Sequence, residues 1–132
     1  MLRNKYVYTK FLEENGITVP RSELFSDKSD LHLLLSQYKD QYVIVKNRYE
    51  SASIGMTDKN VFRLCQNSLQ HLNNLLKEMC TDSLLVQEYI DGIECEVLVL
   101  QYKGKYYALD PVQILFKTNL NFIDTDTSNT YN

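Results

Sequence analysis

With 132 residues, 44% of them hydrophobic and 23% charged, the chain has the balance of one globular domain and is too short for two full ones. A formal net charge of −3 argues against a general attraction to nucleic acid, and no apolar run approaches the ~20 residues of a membrane helix. No signal-peptide core follows Met1 to Lys5. Cys65, Cys80 and Cys95 form no CxxC or zinc-ligand pattern, so reduced thiols in the cytoplasm are expected.

Taken in chain order, Asn4 caps a first helix that ends at Asn15-Gly16, with Val7/Phe11 and Tyr8/Leu12 repeating on one face. Gly16 suits the left-handed position after the helix. An extended piece runs from Thr18 to Phe25 around Pro20. Ser26-Asp27 opens a second helix whose buried stripe is Leu31, Leu34, Leu35 and Tyr38. Tyr42 to Lys46, β-branched and apolar, reads as a buried strand. Arg48 to Gly55 is a loop of small and polar residues, and Met56-Thr57 reads as a short returning strand. Asp58 is expected to start the longest helix, reaching Met79 with Val61, Leu64, Cys65, Leu69, Leu72, Leu75, Leu76 and Met79 as its stripe.

Leu84 to Ile90 is a further strand, and Asp91-Gly92 a turn. Ile93 to Tyr102 and Lys105 to Leu109 form a hairpin across Lys103-Gly104, and Val112 to Phe116 extends the sheet. The stretch from Asn119 to Asn132 is rich in Asn, Thr, Asp and Ser and is expected to be loose. Strict βαβ alternation is absent, so a doubly wound parallel sheet is disfavoured and a mixed α+β layer fits better.

Two segments carry candidate chemistry. In Val43-Ile44-Val45-Lys46 a lysine closes a buried strand, and the small residues after it would let backbone N–H groups approach phosphate oxygens. On this feature alone, a strand-ending lysine such as Lys46 is usually just a solvated charge. Neither GxxxxGK[ST] nor GxGxxG is present, which removes the main support for P-loop and Rossmann readings. In Leu84 to Glu94 a buried strand ends in polar groups, turns and presents a carboxylate. An acceptor for an adenine amino group, a backbone donor, an aromatic cover and a carboxylate for ribose hydroxyls could come from Gln87, the backbone of Glu88 to Ile90, Tyr89 and Glu94. An ordinary hairpin with a polar strand end is the alternative.

In order along the chain, these pieces resemble the ATP-grasp superfamily, of the D-alanine–D-alanine ligase type. The resemblance runs over roughly residues 4 to 115: Asn4-Lys5, Gly16-Ile17-Thr18-Val19-Pro20, Val45-Lys46 with the Glu50–Met56 loop, and Val86 to Glu94. It implies an α+β, ATP-grasp-like fold, a mixed or antiparallel sheet with helices packed on one face, in truncated form. The implied organisation is a central nucleotide-binding subdomain over 4–90, the beginning of a C-terminal subdomain over 91–116, and a polar flexible tail over 117–132. It implies ATP as cofactor. Lys5 and Lys46 would contact phosphates, the loop with Glu50 and Ser53 would close over the triphosphate, and Gln87 would face the adenine amino group where the family usually has glutamate. Glu88, Tyr89 and Ile90 would lie along the base, and Glu94 would hold the ribose.

The departures bear on chemistry. Where the family loop commonly reads Glu-Gly-Ser-Ser, this chain has Glu50-Ser51-Ala52-Ser53, and Ala52 lacks a substrate-side hydroxyl. Phe122-Ile123-Asp124-Thr125-Asp126 resembles a family segment without the lysine and tyrosine that follow it, and Asp124 and Asp126 read as solvated. No catalytic or metal-binding residue is assigned, and His32 and His71 receive no role. Magnesium is expected only for a complete enzyme. The expected function is the ATP-binding fragment of an ATP-dependent carboxylate–amine ligase, working through an acyl phosphate and inactive alone. Its partners would be an adenine nucleotide and, in the complete enzyme, a small carboxylate and an amine. The alternative is a degenerate, non-catalytic module for nucleotide sensing or protein contacts, so enzymatic activity and oligomeric state are left open.

Overall fold

The computed structural model describes residues 3–49, 56–115 and 130–131. They fall into two compact units, Met1–Ile90 and Asp91–Asn132.

The first unit opens with helix α1 (Lys5–Glu14), whose N-cap Asn4 accepts a hydrogen bond from the Val7 N–H. Gly16, at φ +76°, takes the left-handed position after it. Val7, Tyr8 and Phe11 nevertheless stay exposed, so the apolar face read from the sequence makes no core. Strand β1 (Ser22–Phe25) occupies only the end of the extended piece. The Asp27 carboxylate then caps a single 3-10 turn, Lys28–Asp30, which leads into α2 (Leu31–Tyr38). Leu34 and Tyr38 are fully buried, with Leu31 and Leu35 packed against them. Burial pushes the Tyr38 phenol up to about 12, so it stays neutral.

Strand β2 (Tyr42–Asn47) alternates, with Val43, Val45 and Asn47 buried and Ile44 and Lys46 half-buried. The long helix expected from Asp58 to Met79 is not formed, and neither is a strand at Met56-Thr57. Thr57 caps a 3-10 turn over Asp58–Asn60, with the Thr57 N–H donating to Asn60 Oδ1 at 2.9 Å. Asn60, 1% exposed, also donates from Nδ2 to Val45 O at 2.8 Å. The first bond belongs to a reciprocal capping pattern that starts a helical turn, the second ties Asn60 to β2, and the turn ends at Asn60. The β-branched and aromatic pair that follows becomes strand β3 (Val61–Arg63), satisfying the backbone edge of β2. Ser68 Oγ accepts from the Cys65 N–H at 3.0 Å in a second turn. Only then does α3 (Leu69–Glu78) run, with Leu72 and Leu75 buried.

Strand β4 (Leu84–Glu88) lies between β1 and β2, giving the order β1-β4-β2-β3 with every described pairing antiparallel. One face carries Phe25, Val43, Val45, Leu84 and Val86 against Leu34, Tyr38, Leu72 and Leu75 of α2 and α3. The opposite face carries Ser22, Leu24, Ile44, Lys46, Leu85 and Gln87, because residues directly opposite in an antiparallel pair share a face. This is the α+β arrangement with helices on one face that the resemblance implies.

In the second unit β5 (Cys95–Glu96) pairs with β8 (Val112–Leu115), which also pairs with β9 (Thr130–Tyr131). β6 (Val99–Tyr102) and β7 (Lys105–Ala108) form the expected hairpin. Lys103 and Gly104 both have positive φ, +49° and +75°, the twist that suits a two-residue hairpin turn. Most of the tail expected to be loose, residues 117–129 and 132, lies outside the described residues, as does Phe116 at the end of the expected strand.

Candidate functional site

Lys46 and Gln87 belong to adjacent strands on the sheet face away from α2 and α3. Lys46 Nζ donates to Gln87 Oε1 at 2.9 Å. The other end of the same amide, Gln87 Nε2, donates to Ser22 Oγ at 2.7 Å. The Ser22 hydroxyl in turn donates to Pro20 O at 2.9 Å. Gln87 is 6% exposed and Ser22 is buried beside it. A cationic donor and an oriented amide acceptor therefore meet diagonally on one face of the sheet, Gln87 standing opposite Ile44 and Lys46 opposite Leu85.

Lys5 is the first residue of α1, and its N–H donates to Arg48 O at 3.0 Å. Arg48 Nε returns a hydrogen bond to Asn4 Oδ1 at 3.1 Å. These two contacts bind the start of α1 to the chain just past β2, so the Lys5 backbone sits two residues beyond Lys46 in that register. Glu50 and Ser53 lie outside the described residues, as do Asp124 and Asp126.

The end of β4 is held by an ion pair. Arg21 donates from its backbone N–H and from Nε to the two Glu88 oxygens, each at 3.0 Å, and Glu88 N–H donates to Arg21 O at 3.0 Å. Arg21 also reaches Gln41 Oε1 at 3.0 Å and covers the Tyr38 ring. The Arg21 backbone N–H, helped by its guanidinium, holds the Glu88 carboxyl below the usual glutamate range against an opposing effect of burial. The Tyr89 N–H donates to Tyr42 O at 3.0 Å. Of the backbone N–H groups from Glu88 to Ile90, two are thus engaged in holding the sheet, whereas Ile90 is 62% exposed. Glu94 belongs to the second unit, where it is exposed and its C=O accepts from the Ile114 N–H at 2.9 Å.

The sequence reading overlooked Ser22, Arg21 and Arg48. Local pattern gave no signal for them, since each acts through a partner far along the chain. Among the described residues no group of three or more His, Cys, Asp or Glu could hold a metal ion.

The Glu88 pairing has a pH consequence. A carboxyl held below its ordinary value of 4.5 contributes stability that is complete above that value and is lost as pH falls through the lower folded value. Between about pH 6 and about pH 3 the thermal midpoint of Glu88→Gln is expected to fall less than that of the wild type, because the amide takes up no proton. Parallel melting curves for the two proteins across that window would remove the ion pair from the account.

Comparison with known proteins fits this geometry. A family model described as the RimK-like ATP-grasp domain matches residues 2–104. The chain is 31% identical over 104 residues to the glutathione biosynthesis bifunctional protein GshAB of Listeria innocua, covering 78% of this chain and 13% of that protein. It is 30% identical over 89 residues to the coenzyme gamma-F420-2:alpha-L-glutamate ligase of Methanococcus maripaludis, covering 67% of this chain and 29% of that protein. Among solved structures, D-alanyl-alanine synthetase A from Vibrio cholerae superposes with a TM-score of 0.71 at 11% identity, over 98% of this chain and 40% of that one. N5-carboxyaminoimidazole synthetase from Staphylococcus aureus, complexed with ADP, gives 0.66 at 14% identity, over 88% and 30%. The chain thus spans well under two thirds of these relatives. With the fold shared and most of its length matched by the family model, the chain belongs to the RimK-like ATP-grasp domain family.

Proposed function

We propose that this chain binds the nucleotide of an ATP-dependent carboxylate–amine ligase that works through an acyl phosphate. The observation that carries the reading is the pairing of Lys46 Nζ with Gln87 Oε1 at 2.9 Å on the sheet face away from the helices. Lys46 and Lys5 would meet phosphate oxygens, where cationic donors form the stronger class of hydrogen bond. Glu50 and Ser53 would belong to the loop over the triphosphate. Gln87 would accept from the adenine amino group, and Tyr89 would lie near the base. The exposed Ile90 would supply the backbone donor, since the Glu88 and Tyr89 N–H groups are engaged elsewhere. Glu94 would take the ribose hydroxyls.

The domain assignment follows: residues 4–90 as the central nucleotide-binding subdomain and 91–116 as the start of a C-terminal one. Relatives are named for an L-glutamate ligase and for glutathione biosynthesis, and a structural neighbour for D-alanyl-alanine synthesis. These names support an amino acid or small peptide as the substrate class, with D-alanine one candidate. In such ligases the protein positions the reactants and neutralises charge as phosphate is transferred. Magnesium is expected for the complete enzyme, and among the described residues no group of three or more His, Cys, Asp or Glu could hold it. By itself this chain is proposed to bind nucleotide with little turnover. The free thiols Cys65, Cys80 and Cys95 suit a reducing cytoplasm, and among the described residues no helix is long and apolar enough to cross a membrane.

A second reading, a non-catalytic module that senses nucleotide, is favoured by Gln87 and Ala52 standing where the family pattern has glutamate and serine. Calorimetric titration with ATP and with ADP tests the shared claim. Saturable heat is expected with both nucleotides, and no heat at millimolar concentration would sink both readings.

A further inference from the structure

We propose that Ser22 is a specificity-determining positioning residue: it fixes which end of the Gln87 amide faces a bound base. This rests on the nucleotide reading above. An amide side chain has a donor end and an acceptor end of nearly the same shape, so without neighbours it can present either one. Here both ends of the hydrogen-bond row are of fixed sense. The Lys46 ammonium can only donate, and the Pro20 carbonyl can only accept. Between them the order runs in one direction, from Lys46 Nζ to Gln87 Oε1 at 2.9 Å, from Gln87 Nε2 to Ser22 Oγ at 2.7 Å, and from Ser22 Oγ to Pro20 O at 2.9 Å. Turning the amide over would set its NH2 against the ammonium. It would also require the Ser22 hydroxyl to leave Pro20 in order to donate to the amide oxygen.

The row therefore holds Gln87 as an acceptor. Its oxygen has two lone pairs, of which Lys46 takes one. The other selects a ligand group that donates, such as the 6-amino group of adenine. It rejects the 6-oxo group of hypoxanthine, whose oxygen would meet another oxygen. A glutamate at this position would need no such orientation, because both of its oxygens accept. Ser22 matters because residue 87 is glutamine.

The test compares ADP with IDP by calorimetry on the 132-residue chain. Wild type is expected to bind ADP about tenfold or more tighter than IDP, the effect of one unsatisfied polar group in a buried site. Ser22→Ala removes the acceptor for Gln87 Nε2 while Lys46 still faces Oε1, so the ratio is expected to fall measurably below that of the wild type without reaching one. Ser22→Thr keeps the hydroxyl and restores the ratio. In a Gln87→Glu background, Ser22→Ala leaves the ratio unchanged, a result that a general loosening of the sheet does not produce. Should Ser22→Ala fail to fold, Ser22→Cys, a weak hydrogen-bonding isostere, lowers the ratio in its place. ADP binding with the same ratio in the wild type and in the folded alanine or cysteine variant overturns the role of Ser22 alone. Absence of binding by either nucleotide overturns the nucleotide reading and this proposal with it.

Discussion

Lys46→Ala is expected to weaken ATP and ADP binding by about ten- to a hundredfold. That is the range for losing one charge-assisted hydrogen bond of ~1.5–3 kcal/mol to a phosphate. The side chain lies on the sheet face away from the core, and its ammonium already meets Gln87 Oε1. Its loss would thus remove the proposed phosphate contact together with one of the two partners that hold the Gln87 amide. Folding is expected to suffer much less. One lost hydrogen bond of ~1 kcal/mol lowers the melting temperature of a unit this size by about 4–8 °C. Titration calorimetry reads the first effect and a thermal melt the second. Unchanged affinity in the folded variant would take Lys46 out of the site. Lys46→Arg separates charge from geometry, since a planar guanidinium cannot reproduce the point charge of an ammonium at a fitted position.

Phe25→Ala is expected to be the most damaging single truncation of the first unit. Phe25 is fully buried, stands opposite Leu84 in the sheet, and packs in one cluster with Leu34, Tyr38 and Val86. Truncating a buried phenylalanine costs about 3–5 kcal/mol, the lost transfer free energy and the cavity together. Domains have only about 5–15 kcal/mol of total stability, so this is a large share. The urea midpoint should fall sharply with little change in slope. Phe11→Ala is the matched control. It removes the same ring from α1, where it is 45% exposed, and should cost only a fraction as much. Equal losses for the two variants would mean that the core is not where the burial places it.

Much of the fold was legible because its signals are local. Asn4 as a cap, Gly16 in a left-handed position, the Leu34/Tyr38 stripe and the Lys103-Gly104 turn each depend on residues within a turn or two of one another. The stretch after Asp58 was misread because the apolar spacing of Val61, Leu64 and Cys65 fits a helix stripe as well as it fits a strand and a turn. The open backbone edge of β2 decided between them, together with the Asn60 amide held to Val45 O. Neither can be seen from within the segment.

The candidate site divides in the same way. Lys46 and Gln87 stand out in the sequence because each ends a β-branched or apolar run with a polar group. The chain by itself determined those strand ends, the caps and the turn that follows, because hydrogen-bonding capacity and apolar periodicity are properties of neighbouring residues. Only the tertiary structure decided that Lys46 and Gln87 meet, that Ser22 orients Gln87 across 65 residues, and that Glu88 serves Arg21 across 67. Antiparallel pairing of β4 with β1 and β2 sets those distances, and register between strands far apart in the chain leaves no local trace in either one.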